Sequence, residues 1–157
     1  MILVFAAMNC IFSALFAQEK KAHNPVIFAD VPDMSIIRAG NVYYMSSTTM
    51  HMSPGVPIMK SKDLVNWTFK GDVVKMQDPE NLGRRWVLER PKVFYNKGSK
   101  QFVMYFHLDN ASYKYARVGI AVADKPDGDF KFVKSFRPLD HESRDIGQFI
   151  DDDGTAY

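Results

Sequence analysis

The sequence predicts an all-β protein built of four-stranded blades, a β-propeller. Three observations predict it. Short runs rich in Val, Ile, Phe and Tyr alternate with turns that carry Gly, Asn and Asp. No window of a dozen residues carries helical periodicity. The hairpins recur in sequence with the same turn chemistry and the same strand order, and a recurring four-stranded unit is a blade. A sandwich of antiparallel sheets can also space its strands evenly, but it does not require turns and strand order to repeat together.

The elements follow in order. Ser35 to Arg38 leads through Ala39-Gly40-Asn41 into Val42 to Ser47. Val56 to Ser61 leads through Lys62-Asp63-Leu64-Val65-Asn66 into Trp67-Thr68-Phe69. Lys92 to Asn96 leads through Lys97-Gly98-Ser99 into Gln101 to Leu108, and Gly119 to Asp124 leads through Lys125 to Asp129 into Phe130-Lys131-Phe132. Phe149-Ile150 leads through Asp151-Asp152-Asp153-Gly154 into Thr155 to Tyr157. Glycine in such a turn is expected to take a positive φ. Aligned on their turns, Arg38 falls on Tyr95, 57 residues later, and on Ile150, 112 residues later. The second hairpin of each unit repeats at 63 residues. Two blades and the opening hairpin of a third result. Closure takes at least four blades, so the chain is expected to be the N-terminal part of a longer propeller.

Composition narrows the class. Of 157 residues, 46% are hydrophobic and 24% charged, as in a globular domain and unlike a disordered one. Twenty Lys and Arg against eighteen Asp and Glu leave a net charge of +2, too near neutral to suggest nucleic acid or an anionic membrane as the main partner. The single cysteine, Cys10, excludes a disulfide scaffold and a cysteine-based zinc site. Met1 to Ala17 is uncharged and apolar and gives way to Gln18-Glu19-Lys20-Lys21. That pattern predicts a signal segment cleaved after Ala17, in preference to a retained membrane anchor. The protein is therefore expected in the periplasm, at the cell surface or outside the cell, with no cysteine left in the mature chain.

The repeat also gives an address to candidate functional residues. Asp33 lies five residues before Arg38, and the same place in the third unit is Asp145. In the second unit it is Arg90, beside Glu89. Innermost strands line the axis of a propeller and enter from one face. Asp33, Glu89-Arg90 and Asp145 are thus expected to ring one end of that axis. Converging carboxylates serve two chemistries. One is hydrolysis of a glycosidic bond, which takes an acid and a base or nucleophile. The other is binding of a hard cation through carboxylate oxygens. The pattern itself leaves both open. His107, His51 and Arg144 are further candidates for the pocket or its rim, with Arg144 read first as a salt-bridge partner. Trp67 and Met45, Met59 and Met104 are read as packing residues. Asp151-Asp152-Asp153-Gly154 lacks the later ligands of a calcium loop and is read as a hairpin turn.

Several stretches resemble glycoside hydrolase family 43: Asn24-Pro25-Val26-Ile27, Ala29 to Arg38, Tyr43-Tyr44-Met45 and Ser61-Lys62-Asp63-Leu64-Val65-Asn66-Trp67. The resemblance covers Asn24 to Tyr157. It implies a five-bladed propeller that hydrolyses plant-type polysaccharides or oligosaccharides with inversion. The residue matching Asp33 in that family is the general base. The residue matching Asp145, in Ser143-Arg144-Asp145, modulates the pKa of the acid and orients it. The acid itself is a Glu expected beyond Tyr157, so the 157 residues alone are expected to be inactive. Met34 stands where the family usually has a proline. Up to about Val74 the chain resembles arabinofuranosidase and xylosidase members. From Leu88-Glu89-Arg90-Pro91-Lys92-Val93 through Asp145 it resembles exo-β-1,3-galactanase members, in which the Glu matching Glu89 touches the sugar. Glu89, Arg90, His51, His107 and Arg144 are the expected substrate contacts. The implied partner is an arabinose-, xylose- or galactose-containing glycan. No cofactor is implied, although a structural calcium is compatible with the full domain. A carbohydrate-binding propeller without catalysis is the alternative, and it need not keep acids at matched positions.

Overall fold

The computed structural model of the chain describes residues 22–49, 55–74 and 85–157. The expected signal segment and His51 lie outside the described residues.

The described residues form two antiparallel four-stranded sheets. The first contains β1 (Ser35–Ala39), β2 (Val42–Ser46), β3 (Pro57–Ser61) and β4 (Thr68–Asp72), hydrogen-bonded in that order. The second contains β5 (Trp86–Asn96), β6 (Gln101–Asn110), β7 (Arg117–Ala123) and β8 (Lys131–Phe136), again in order. Each sheet is a meander, the form of a propeller blade. A third hairpin follows: Ile150 bridges Ala156, and Asp151 N–H donates to Thr155 O at 2.9 Å. The molecule is thus two blades and the first hairpin of a third of the propeller read from the repeat.

The turns explain the strand ends. Gly40, between paired Ala39 and Val42, has φ 63°, the left-handed value that glycine adopts without steric cost. Gly154 behaves likewise, so the Asp151–Gly154 run is the turn its sequence suggested. The β5–β6 turn differs from expectation. Its left-handed residue is Lys100 (φ 56°), while the Asn96 Oδ1 accepts the N–H groups of Gly98 and Ser99 at 2.9 and 3.0 Å. The β3–β4 connection is a second polar knot. Asp63 Oδ1 accepts from the N–H of Val65 and Asn66, and Oδ2 accepts from Asn66 Nδ2. These donors hold the Asp63 carboxyl far below its ordinary pKa, and they account for Asp63 and Asn66 in the Ser-Lys-Asp-Leu-Val-Asn-Trp motif as turn chemistry. Trp67 is half-buried there and donates its indole N–H to Leu64 O at 3.1 Å. It is a turn residue, not the core residue expected.

The core lies between the blades. Val56, Ile58, Val73 and Val74 of the first pack on Leu88, Val93, Met104, Phe106, Leu108, Ala121, Ala123 and Phe130 of the second. Polar contacts pin the same boundary. Phe130 N–H donates to Val73 O at 2.8 Å, and the buried Ser46 hydroxyl donates to Pro91 O at 3.1 Å. Gly119 pairs with Phe106 across β6 and β7, and a Cβ there would stand 2.3 Å from the Phe106 ring. Its missing side chain is what lets the ring lie flat on β7. The inner strands β1 and β5 are in contact, which brings their leading ends to the same face.

Candidate active site

Asp33 stands just before β1 with its backbone in the left-handed region (φ 55°). Glu89 and Arg90 lie inside β5, which begins at Trp86, earlier than the Lys92 expected from sequence. A β-bulge after Glu89 explains how Arg90 leaves the regular alternation of the strand. Glu89 pairs with His107 and Lys92 with Tyr105, so Arg90 and Pro91 together oppose Phe106. Arg90 takes φ 55° at this bulge and turns its side chain toward the leading end of β1.

The guanidinium of Arg90 is the hub. Its Nε lies 2.5 Å from Asp145 Oδ1 and 3.8 Å from Asp33 Oδ1, and its Nη1 lies 3.1 Å from Glu89 Oε2. Carboxylates from positions 33, 89 and 145 therefore share one cation. Asp145 remains 84% exposed at its side chain and Asp33 30%, whereas Glu89 is 7% exposed. The first two face the open axis, and the third forms the floor.

A relay of hydrogen bonds, buried at His107 and Asp109 and open at Tyr113, holds that floor. Tyr113 Oη donates to Glu89 Oε1 at 2.6 Å, and His107 Nδ1 lies 3.1 Å from Glu89 Oε2. The other ring nitrogen of His107 lies 2.9 Å from Asp109 Oδ2. Asp109 Oδ1 in turn accepts the N–H groups of Asn110 and Tyr115 at 2.9 and 2.8 Å. Burial of Asp109 raises its pKa, but these donors outweigh it and leave the carboxyl below its usual value. The hydrogen bond to Glu89 pushes the Tyr113 phenol up to about 12, helped by desolvation and by the Glu89 charge. Lys92 reaches Arg90 O at 3.4 Å; burial lowers its pKa, opposed by Asp33 and reinforced by Arg90.

The placements correct part of the sequence reading. His107 was expected to end a strand, as a sugar contact or a cap. It lies within β6, fully buried, with both ring nitrogens engaged, so it supports Glu89 and cannot itself touch a sugar. Arg144 is the salt-bridge residue expected. It binds Glu142 Oε2 at 2.5 Å and donates to Tyr113 O at 2.8 Å, which ties the segment bearing Asp145 to the Glu89 support. Thr48 and Tyr113 were missed. Both follow the second strand of their blade, at the end where Asp33 and Glu89 stand, and that shared position is the signal that marks them. Among the described residues no group of His, Cys, Asp and Glu is arranged to hold a metal ion, and no helix is long and apolar enough to cross a membrane.

Three carboxylates, one from each successive unit of the repeat, gathered on one guanidinium define a propeller with an acidic site. The family model for glycosyl hydrolases family 43 matches residues 22–157. The chain belongs to that family.

Among its relatives is a β-xylosidase of Formosa agariphila, 54% identical over 50 residues, which are 32% of this chain and 8% of that protein. A non-reducing end α-L-arabinofuranosidase of Bacteroides ovatus is 40% identical over 63 residues, 40% of this chain and 12% of that protein. The crystal structure of an exo-β-1,3-galactanase variant from Phanerochaete chrysosporium with β-1,3-galactotriose superposes with a TM-score of 0.76 and 35% identity. That superposition covers 82% of this chain and 32% of the galactanase. The chain thus matches about a tenth of the two curated relatives and a third of the solved galactanase.

Proposed function

We propose that the protein carrying this chain is an exported glycoside hydrolase that cleaves arabinose-, xylose- or galactose-containing glycans with inversion. Asp33 activates the attacking water as general base. Asp145 orients and tunes an acid supplied by another blade. Glu89 binds the sugar from the floor of the site, and Arg90 holds the carboxylates in place and lines the pocket. Arg144 acts at the rim by fixing the segment that bears Asp145. One observation carries this reading: Asp33 and Asp145, from different blades, meet on the single Arg90 guanidinium. A structural turn residue has no need of such a partner, whereas a base and an orienting carboxylate must share one cleft.

The test is turnover by the full-length protein on 4-nitrophenyl β-D-xylopyranoside, α-L-arabinofuranoside and β-D-galactopyranoside and on β-1,3-galactotriose. Proton NMR of the first-formed sugar should show the anomer opposite to that of the substrate. Retention would overturn the mechanism, and sugar binding without turnover on any of the four would overturn the enzymatic reading. Export has its own check. Mass spectrometry of the secreted or periplasmic protein should find Gln18 at the N-terminus, and a mature protein that still begins at Met1 would refute it.

A further inference from the structure

We propose that Thr48 is the positioning residue for Asp33 and that it selects which carboxylate oxygen receives the proton. This rests on the reading of Asp33 as the base. Thr48 follows β2 and is 1% exposed. Its N–H and its hydroxyl are both directed at the site. Its N–H donates to Pro32 O at 3.1 Å, which fixes the residue before Asp33. Its hydroxyl accepts the N–H of Arg90 at 2.9 Å and lies 2.8 Å from Asp33 Oδ2.

The direction of these bonds follows from the groups themselves. A backbone N–H can only donate, so the Arg90 N–H takes a lone pair of the hydroxyl. The single hydroxyl hydrogen is then free for the carboxylate, and Thr48 donates to Asp33 Oδ2. Oδ2 is already engaged by that donor, so Oδ1 is the less occupied oxygen and the one assigned to the water. It faces Arg90 Nε at 3.8 Å, too far for a hydrogen bond, so its acceptor capacity is open. Thr48 thus links the base on the first blade to the backbone of the bulge on the second. A shift of either blade at this boundary would swing the carboxylate.

The proposal predicts a split between valine and serine at this position. Thr48→Val keeps the shape and removes the hydroxyl. In the full-length protein it is expected to lower kcat by about 10- to 100-fold with KM changed less than about 3-fold, the effect of misorienting one reacting group. Thr48→Ser restores the hydroxyl and should recover most of that loss. In an Asp33→Asn background, Thr48→Val should change kcat by less than about 2-fold, because it acts through Asp33. A Thr48→Val enzyme with kcat within about 2-fold of the parent, or a serine variant as impaired as valine, overturns the positioning role. Full activity of Asp33→Asn instead overturns the base reading and leaves the valine–serine comparison to be judged by stability. For that comparison the melting temperatures of Thr48→Val, Asp33→Ala, which removes the acceptor altogether, and the double variant should be non-additive. An additive cycle refutes the Thr48–Asp33 link whatever the substrate.

Discussion

Asp33→Asn in the full-length protein is expected to lower kcat by about 10² to 10⁴ while the fold and its melting temperature stay close to the parent. The amide has the size and planarity of the carboxylate, and its oxygen can still accept from Thr48 at the position of Oδ2. Its nitrogen then occupies the place of Oδ1, where it can donate but cannot take a proton from water. Loss of the Asp33 charge also removes the more distant of the two aspartates on Arg90, at 3.8 Å, and leaves Asp145 at 2.5 Å as the tighter partner. The hub should therefore survive the substitution. Turnover numbers and far-ultraviolet circular dichroism measured together check this. Unchanged turnover would assign the base to another carboxylate, and a collapsed spectrum would show that Asp33 serves the fold.

The second large effect is on stability. His107→Phe is expected to destabilise the full-length protein by about 3 to 5 kcal/mol, the usual consequence of removing one partner from a buried polar pair. His107 lies at 0% exposure between Glu89 and Asp109, themselves 6% and 0% exposed. Phenylalanine fills the space but donates nothing. Asp109 Oδ2 would lose its contact at 2.9 Å, and Glu89 Oε2 would keep only Arg90. Two carboxylates would then be buried with no donor between them. His107→Gln retains a donor and should lose less. Urea denaturation measures both, and a phenylalanine variant within about 1 kcal/mol of the parent would show that the relay does not bear on stability.

Most of the architecture was legible because its signals are local. Gly40 and Gly154 mark turns by what their own backbones can do, and the β-branched pair Ile36-Ile37 just ahead of the Gly40 turn shows a strand without reference to any neighbour. Asp33 and Asp145 were legible for a different reason: the repeat converts a sequence offset into a shared place in space. The bulge at Arg90-Pro91 was not legible, because a bulge is defined by pairing with a partner strand. His107 was misplaced because β6 is fully buried around it, from Phe106 to Asp109. A polar residue inside such a strand reads from sequence as the strand's end. Thr48 and Tyr113 escaped because an isolated hydroxyl carries no periodicity. Their roles come from what lies opposite, 15 residues away for Thr48 and 24 for Tyr113.

The left-handed backbones of Asp33 and Arg90, both at φ 55°, have a consequence for ligand capture. A non-glycine residue in that conformation carries about 1 to 2 kcal/mol of steric penalty. Here the penalty falls on two residues of the carboxylate–guanidinium hub, and it is met by packing between the blades when the chain folds. Arg90 is fixed in that state by its N–H on Thr48, and Asp33 by the Thr48 hydroxyl. On the proposed function, a sugar that reaches the hub meets groups already confined to their directions. The ordering entropy that a flexible pocket would take from the association step has been removed beforehand, so contacts with the sugar can be expressed as selectivity between sugars and not consumed in organising the site.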